Sequence, residues 1–530
     1  MQKNLALLNN WKFFTGMENY EENNSIPSDK FYYTQNARFG GRVVSSKAGF
    51  LAMGNSLVGG TQFRGLFDYT YIDGTGSELH YLIGSYGGDF YNFNESTQIW
   101  DSIPTVWPGH TDVDIDSVPY RNRLYSVSPT ADDGVGRIEN LTFTPIADSP
   151  NGTCMAAWVE RLWITGDVMS PGAWIASKPA TAADPYNVEI FDTTDGAVAG
   201  IVGKDAKTPT AMRVLGDNLY IFKNDSIYFN TPSRIANEQF EFTEISLTGG
   251  ALSQKSTIVI ENDIWFLTPS LEVRSLGLEQ ELGNNPRTRV LSEVIKRFME
   301  QLEPIQDNPV MTYQNRIVKL FLKGRNSPTN NVAIIFDYNT GGWAVDVGQA
   351  VACAAVYNQK LRYASQNSGQ VYVDDTGYSA NGLTYRFRAD TGFIDDGRPD
   401  TYKRGRYIHF RGKQSYLQPV TIRLYRDGNY DTYSTYTIPS PQSRGVTPVT
   451  ASGESQWGDG QFGSGQWGGD GNEGSGDIVL YQTDELISID RTSNMFAFGI
   501  DAQINGGKVV CEQLILKVVG RNESYKRADL

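Results

Sequence analysis

Cysteine and histidine are nearly absent, with three of each among 530 residues. Cys154, Cys353 and Cys511 lie far apart, are odd in number and form no CxxC pair. That leaves no disulfide framework and no zinc knuckle. Of the histidines, His80 sits in "ELHYLIG" and His409 in "RYIHFRG", both strand-like settings that read as structural, and His110 stands alone. No HExxH, GxSxG, Walker-type loop or GxGxxG before a helix occurs. Without a converging acid, base, nucleophile or metal set, the expectation is a protein that is not an enzyme and carries no cofactor. No apolar run approaches the roughly 20 residues that cross a bilayer. The start "MQKNLALLNNWKFF" lacks the apolar core and cleavage site of a signal peptide. Assembly in a cytoplasm is therefore expected. Positive charge is also short, with 46 Lys and Arg against 60 Asp and Glu, a net −14. Such a balance disfavours a protein that grips nucleic-acid phosphates and suits a surface to which DNA must not stick.

Aromatic residues and glycine are plentiful: 12% aromatic, 29 Tyr and 54 Gly. Amphipathic helical stretches are scarce, and the mixture favours strands joined by turns. A turn-and-strand phrase recurs, as in "YRNRLYSV", "LGDNLYIF", "IENDIWFL" and "YQNRIVKL". Its leading apolar residue falls at Leu82, Leu124, Leu162, Leu219, Ile264, Ile317 and Leu361, at intervals of 42, 38, 57, 45, 53 and 44 residues. Most units open with a polar pair, a tight turn feeding a strand with one buried face. Units of about 40 to 50 residues with several short strands each are what propeller blades require. The expected fold is all-β: a six- or seven-bladed β-propeller over 61–390, after an N-terminal extended arm (1–60) that ends in a strand near Val43. A large sandwich with look-alike hairpins is the alternative.

Within the repeats, "RTRVLSEVIKRFMEQL" places apolar residues at helical spacing and predicts one helix near 288–302. From about Thr391 the texture changes to longer strands with a hairpin turn at Asp427-Gly428, which predicts a C-terminal β-sandwich over 391–530. A Gly-rich loop, 452–477, interrupts it. Trp457, Phe462 and Trp467 recur there at five-residue intervals, either to dock somewhere or as part of a plain flexible insertion.

Three stretches invite a chemical reading. "TDVDIDSV" sets Asp112, Asp114 and Asp116 on one strand face but lacks the ligand spacing and Gly turn of a calcium hand. It reads as a solvated acidic face, and no metal is expected. "IIFDYNTGGWAV" faintly resembles a sialidase Asp-box but lacks the leading Ser or Thr and occurs once. An Asp-capped turn with Trp343 wedged between blades accounts for it better. The dense basic stretch "TYKRGRYIHFRGK" holds Lys403, Arg404, Arg406, Arg411 and Lys413. It is either a seat for an acidic partner surface or DNA, or a strand edge guarded by charge.

Together, several segments resemble the tail proteins of short-tailed bacteriophages known as nozzle, tail stabilisation or tail accessory proteins. They are "SIPSDKFYYTQNARFGGRVVSSKAGF", "FRGLFDYTYIDGTGSELHYLIGSYGGDFYNF", "LGDNLYIFKNDSIYFNTPS" with "SQKSTIVIENDIWFLTPSLEVRSLG", the segment after "NNPRTRV", "IIFDYNTGGWAV", and the end "LILKVVGR". The resemblance implies a structural virion protein of the tail. Six copies would form a nozzle ring below the tail adaptor, extending the DNA ejection channel, with a needle or plug closing it. Partners would be further copies of the chain, the adaptor, and fibre or needle proteins, with genomic DNA passing through the lumen unbound. The basic stretch becomes a candidate contact with adaptor or fibres, and no catalytic residue is implied. The alternative is a receptor- or glycan-binding tail protein, with a glycan-cleaving enzyme third.

Overall fold

The computed structural model describes all residues except 1–5, 13–14, 20–25, 28, 42, 105–106, 108–111, 131–132, 168, 206, 232–239, 246–248, 280–284, 395–401, 447–477 and 521–530. Strands dominate, arranged in many small sheets. Backbone contacts divide the chain into two compact units: residues Ala52–Ile334 with Gly348–Val373, and residues Met1–Leu51, Ile335–Val347 and Asp374–Leu530.

In the first of these units the sheets follow one another along the chain. Their first strands are Phe63–Ile72, Asp116–Tyr120, Cys154–Trp158, Ala211–Leu215, Thr257–Ile260, Val310–Gln314 and Val351–Tyr357. Each first strand lies against the first strand of the next sheet, and Val351–Tyr357 returns to lie against Phe63–Ile72. The seventh sheet takes its fourth strand from far upstream, Phe50–Leu57. There the Gln370 amide donates to the Met53 carbonyl (3.0 Å), and the Tyr86 hydroxyl donates to the carbonyls of Leu57 (3.1 Å) and Gly60 (2.8 Å). Gly369 packs so close that a Cβ would fall 2.3 Å from the Leu57 carbonyl oxygen, so no larger residue fits without moving backbone.

All seven repeat marks lie on the second strand of their sheet. Four of the turns before them, Arg121-Asn122, Val159-Glu160, Asn315-Arg316 and Asn358-Gln359, have both central residues at positive φ. These are two-residue hairpin loops whose twist matches the flanking strands. Val159 adopts this conformation at φ 47°, where a β-branched side chain is strained.

The expectation of one buried strand face needs correction here. In Asn218–Phe222, Leu219 and Ile221 pack with Trp158, Trp163 and Trp174 of the third sheet, while Tyr220 and Phe222 pack with Ile264 and Phe266 of the fifth. Both faces are buried because each sheet is sandwiched between two others. The core is thus a series of apolar layers between consecutive sheets, such as Phe90 and Tyr69 against Leu124, Ile138 and Phe143. A fully buried side chain of this size contributes about 1.5–3 kcal/mol.

The helix predicted near 288–302 is shorter than its apolar stripe. Asn285–Val290 pairs instead as a strand with Val273–Glu279, Val290 opposite Arg274. Helical turns are confined to Ser292–Ile295 and Lys296–Met299. The stripe still faces inward, with Ile295, Phe298, Met299 and Leu302 buried. Completion of the fifth sheet overrides local helical preference at its start.

The other unit contains two runs of paired strands. One has the order Leu480–Ser493, Lys403–Ser415, Val509–Gly520, Val43–Ser46, Ala37–Gly40, with Ala6–Lys12 also on Val509–Gly520. The other includes Gly342–Val347, Gly16–Met17, Lys30–Gln35, Tyr385–Thr391, Phe496–Ile504, Val420–Arg426 and Asn429–Ile438. N-terminal strands therefore pair with strands near the C-terminus. A buried charge cluster ties these pieces together: Arg38 clasps Asp346 with two hydrogen bonds (2.8 and 2.7 Å), and the Lys47 ammonium lies 3.3 Å from the same carboxylate. In the Asp337 turn, the side chain accepts from the Asn339 amide (2.8 Å), as a turn cap should, and buried Trp343 packs on Phe336 (5.0 Å between ring centres).

Candidate functional site

A cavity of about 670 Å³ opens where the chain enters the first strands of the second to sixth sheets. Its wall includes Asp114 and Asp116 before and at the start of the second sheet, Thr208 and Thr210 before the fourth, Ser253–Lys255 before the fifth, and Asn308 before the sixth. Side chains from non-adjacent sheets meet here. The Gln254 amide donates to Asp116 Oδ2 (2.7 Å), and the Lys255 ammonium donates to Asp114 Oδ1 (2.9 Å). Two sheets separate the second from the fifth on one side and three on the other, so both contacts cross the middle of the cycle. The Asn308 amide reaches Asp114 Oδ2 at 3.2 Å in its hydrogen-bonded orientation.

Local structure explains why Gln254 can serve as the hub. Ser253 and Ser256 cap each other across a single helical turn, fixing Gln254 and Lys255 at its tip. Gln254 Oε1 accepts from the Met212 amide (2.8 Å), so one side chain joins the second, fourth and fifth sheets. Beneath it, Arg213 donates to the carbonyls of Gln254 (2.6 Å) and Thr257 (3.1 and 2.8 Å). Burial lowers the Arg213 pKa, opposed by the nearby Asp116 carboxylate. Asp116 keeps a little access to the cavity but is surrounded by protein. Burial raises its carboxyl pKa, with Arg213, the Met155 amide (2.7 Å) and Gln254 acting in the other direction.

The reading of Asp112, Asp114 and Asp116 as a solvated acidic face is overturned, because every one has a protein partner. Asp112 is held by Arg64 (3.0 and 3.1 Å) and by the Thr61 hydroxyl (2.8 Å). Burial alone would raise the Asp112 pKa, but these hydrogen bonds outweigh it and the carboxyl lies below its usual value. Among the described residues no group of three or more His, Cys, Asp or Glu is placed to hold a metal ion. The three cysteines are buried, and burial pushes the Cys154 and Cys353 thiols up to about 12, far from a thiolate nucleophile at neutral pH.

The basic stretch lies in the other unit, on Lys403–Ser415. This strand has a partner on each side, so it is not a sheet edge. Its charges are largely answered by neighbours. Lys403 is buried and donates to the Asn494 carbonyl (2.9 Å), Arg404 pairs with Asp490, and Arg406 lies 3.9 Å from Asp490. Arg411 meets Asp484 at 3.2 Å and Lys413 meets Glu512 at 3.6 Å, while His409 also pairs with Asp484. Trp457, Phe462 and Trp467 lie outside the described residues, as does His110. Gln254, Lys255 and Arg213 had no motif to mark them. Their only local signal is the Ser253-x-x-Ser256 cap before an apolar strand.

No family matches the chain, and no curated protein does either. Among solved structures, the extracellular domain of the BT4673 one component system from B. thetaiotaomicron is similar at 10% identity, with a TM-score of 0.43, covering 80% of this chain and 60% of that one. The same domain in its hybrid two component form gives 9% identity and a TM-score of 0.42, covering 65% and 45%. A chain of the mitotic checkpoint complex gives 9% identity and a TM-score of 0.36, covering 63% and 92%. The chain thus spans less than two thirds of the two BT4673 structures. Among the described residues no helix is long and apolar enough to cross a membrane.

Proposed function

We propose that the chain is a structural virion protein of a short-tailed phage: a seven-bladed β-propeller joined to a β-sandwich, six copies of which form the tail nozzle ring. The cyclic contact of seven first strands, closed by Phe50–Leu57, supports the blade count. The two strand runs of the other unit support the sandwich. One observation carries the functional reading. The contacts of Asp114 and Asp116 with Lys255 and Gln254 bar the axis of a single propeller at 2.7–2.9 Å. A passage wide enough for DNA then has to lie between copies, as a nozzle ring provides. The net charge of −14 suits a lumen that repels phosphates.

Imaging and native mass measurement of the purified chain test this. The expected result is a six-fold ring with an open lumen and a mass near six times 58.8 kDa. One or three copies per tail particle would sink the proposal. The second reading, a receptor- or glycan-binding tail protein, draws on the 670 Å³ cavity. Particles lacking the chain would then assemble tails yet fail to adsorb to host cells.

A further inference from the structure

The cavity at the propeller axis has chemistry that the ring assembly does not use. It is large enough for a small ligand, since about 300–1,000 Å³ is usual for such sites. Its less exposed charges are balanced in place: Asp114 is paired with Lys255, and the Arg213 charge acts on Asp116, while Lys207 and Asp225 form an exposed pair at the rim. A charged ligand that displaced Lys255 from Asp114, or pressed on Asp116, would leave a partly buried ion without its partner, which is costly. A neutral ligand would not.

The wall is rich in hydrogen-bonding groups with capacity to spare. Lys255 has N–H bonds beyond the one given to Asp114, and each carboxylate accepts more bonds than these contacts supply. Thr208 and Asn224 also line the space, between apolar residues Ile115, Pro209 and Leu252. Among the described residues no aromatic ring lines it, so recognition would run through ligand hydroxyls and not through stacking on a ring face.

From this the geometry points to a binding site for a neutral, polyhydroxylated ligand of roughly two or three sugar-sized rings. The bound hydroxyls donate to Asp114 and Asp116 and accept from Lys255, and the cross-axis contacts form a fixed floor. The site rests on the glycan-binding reading and is independent of the ring assembly. Particles that lose adsorption when they lack the chain, while the chain binds no sugar, would remove this inference and leave the receptor-binding reading standing.

Calorimetric titration of the full chain with lactose, maltotriose and triacetylchitotriose, each up to about 10 mM, tests it, with sialyllactose as the charged counterpart of lactose. At least one neutral sugar should bind, and sialyllactose should bind more weakly than lactose. Thr208→Trp, which obstructs the cavity, should weaken binding at least about tenfold, or 1.4 kcal/mol, with the melting temperature unchanged. Should that variant unfold, Asn224→Trp on an exposed part of the wall makes the same test. No binding by any neutral sugar, binding that survives the obstructed cavity, or tighter binding of sialyllactose would each overturn the inference.

Discussion

Replacing Gln254 with leucine tests the axial contacts most directly. Leucine keeps the approximate volume, is one bond shorter and removes both polar ends. The Met212 amide loses its acceptor at 2.8 Å, and Asp116 loses the Gln254 amide donor at 2.7 Å. Met212 is fully buried, so its orphaned N–H costs about 1–3 kcal/mol. The weakened carboxylate contact adds about 1 kcal/mol, because Asp116 keeps the Met155 amide and Arg213. A total near 2–4 kcal/mol follows, read from urea unfolding followed by tryptophan fluorescence. A double-mutant cycle with Asp116→Asn should show coupling of about 0.5–3 kcal/mol. Amide exchange at Met212 should also accelerate. A cost below about 1 kcal/mol with unchanged Met212 exchange would refute the hub role.

Other substitutions probe other levels. Asp346→Ala leaves Lys47, only 3% exposed, without its carboxylate and Arg38 with Asp375 alone at 3.9 Å, and should cost about 3–5 kcal/mol in urea unfolding; the double variant with Lys47→Met should recover part of it. The pKa of Asp112 is lowered in the fold, so its stabilisation is present above the unfolded carboxyl value and fades as pH falls, whereas that of Asp116 is raised, so its contribution is greatest in acid and fades as pH rises through the folded value. Relative to wild type, Asp112→Asn should therefore lose more stability at pH 7 than at pH about 3, and Asp116→Asn should move in the opposite direction. Val159→Asn relieves a β-branched residue at φ 47° and should raise stability by about 0.5–1 kcal/mol, seen as a higher urea midpoint with unchanged slope.

The repeats were legible because each has an apolar strand start, and four of the seven follow a two-residue turn of one geometry. Both are local properties, which a sequence displays directly. The burial of both faces of Asn218–Phe222 was not, since it depends on which sheets lie on either side. The apolar stripe of "RTRVLSEVIKRFMEQL" is inward-facing as its spacing implied, yet its first part is claimed by strand pairing with Val273–Glu279. The acidic triplet was misread for the same kind of reason. The strand begins only at Asp116, so the three do not share one strand face, and the partners of Asp116 and Asp114 stand 138 and 141 residues away. Nothing near Gln254 or Lys255 marks them as those partners. The basic strand shows the converse: five cations in a row look like a surface patch until Asp484, Asp490 and Glu512 arrive from neighbouring strands.

The seventh sheet also sets a schedule for synthesis. Met53 must wait for Gln370, which follows it by 317 residues. At about 5–20 residues per second this is a delay of roughly 15–60 s. During that interval the Phe50–Leu57 segment leaves the ribosome without the strands it will join, while the intervening sheets can already stack on one another. Ring closure is then among the last folding events, and its slow step is set by translation and by the entropy of closing a very long loop.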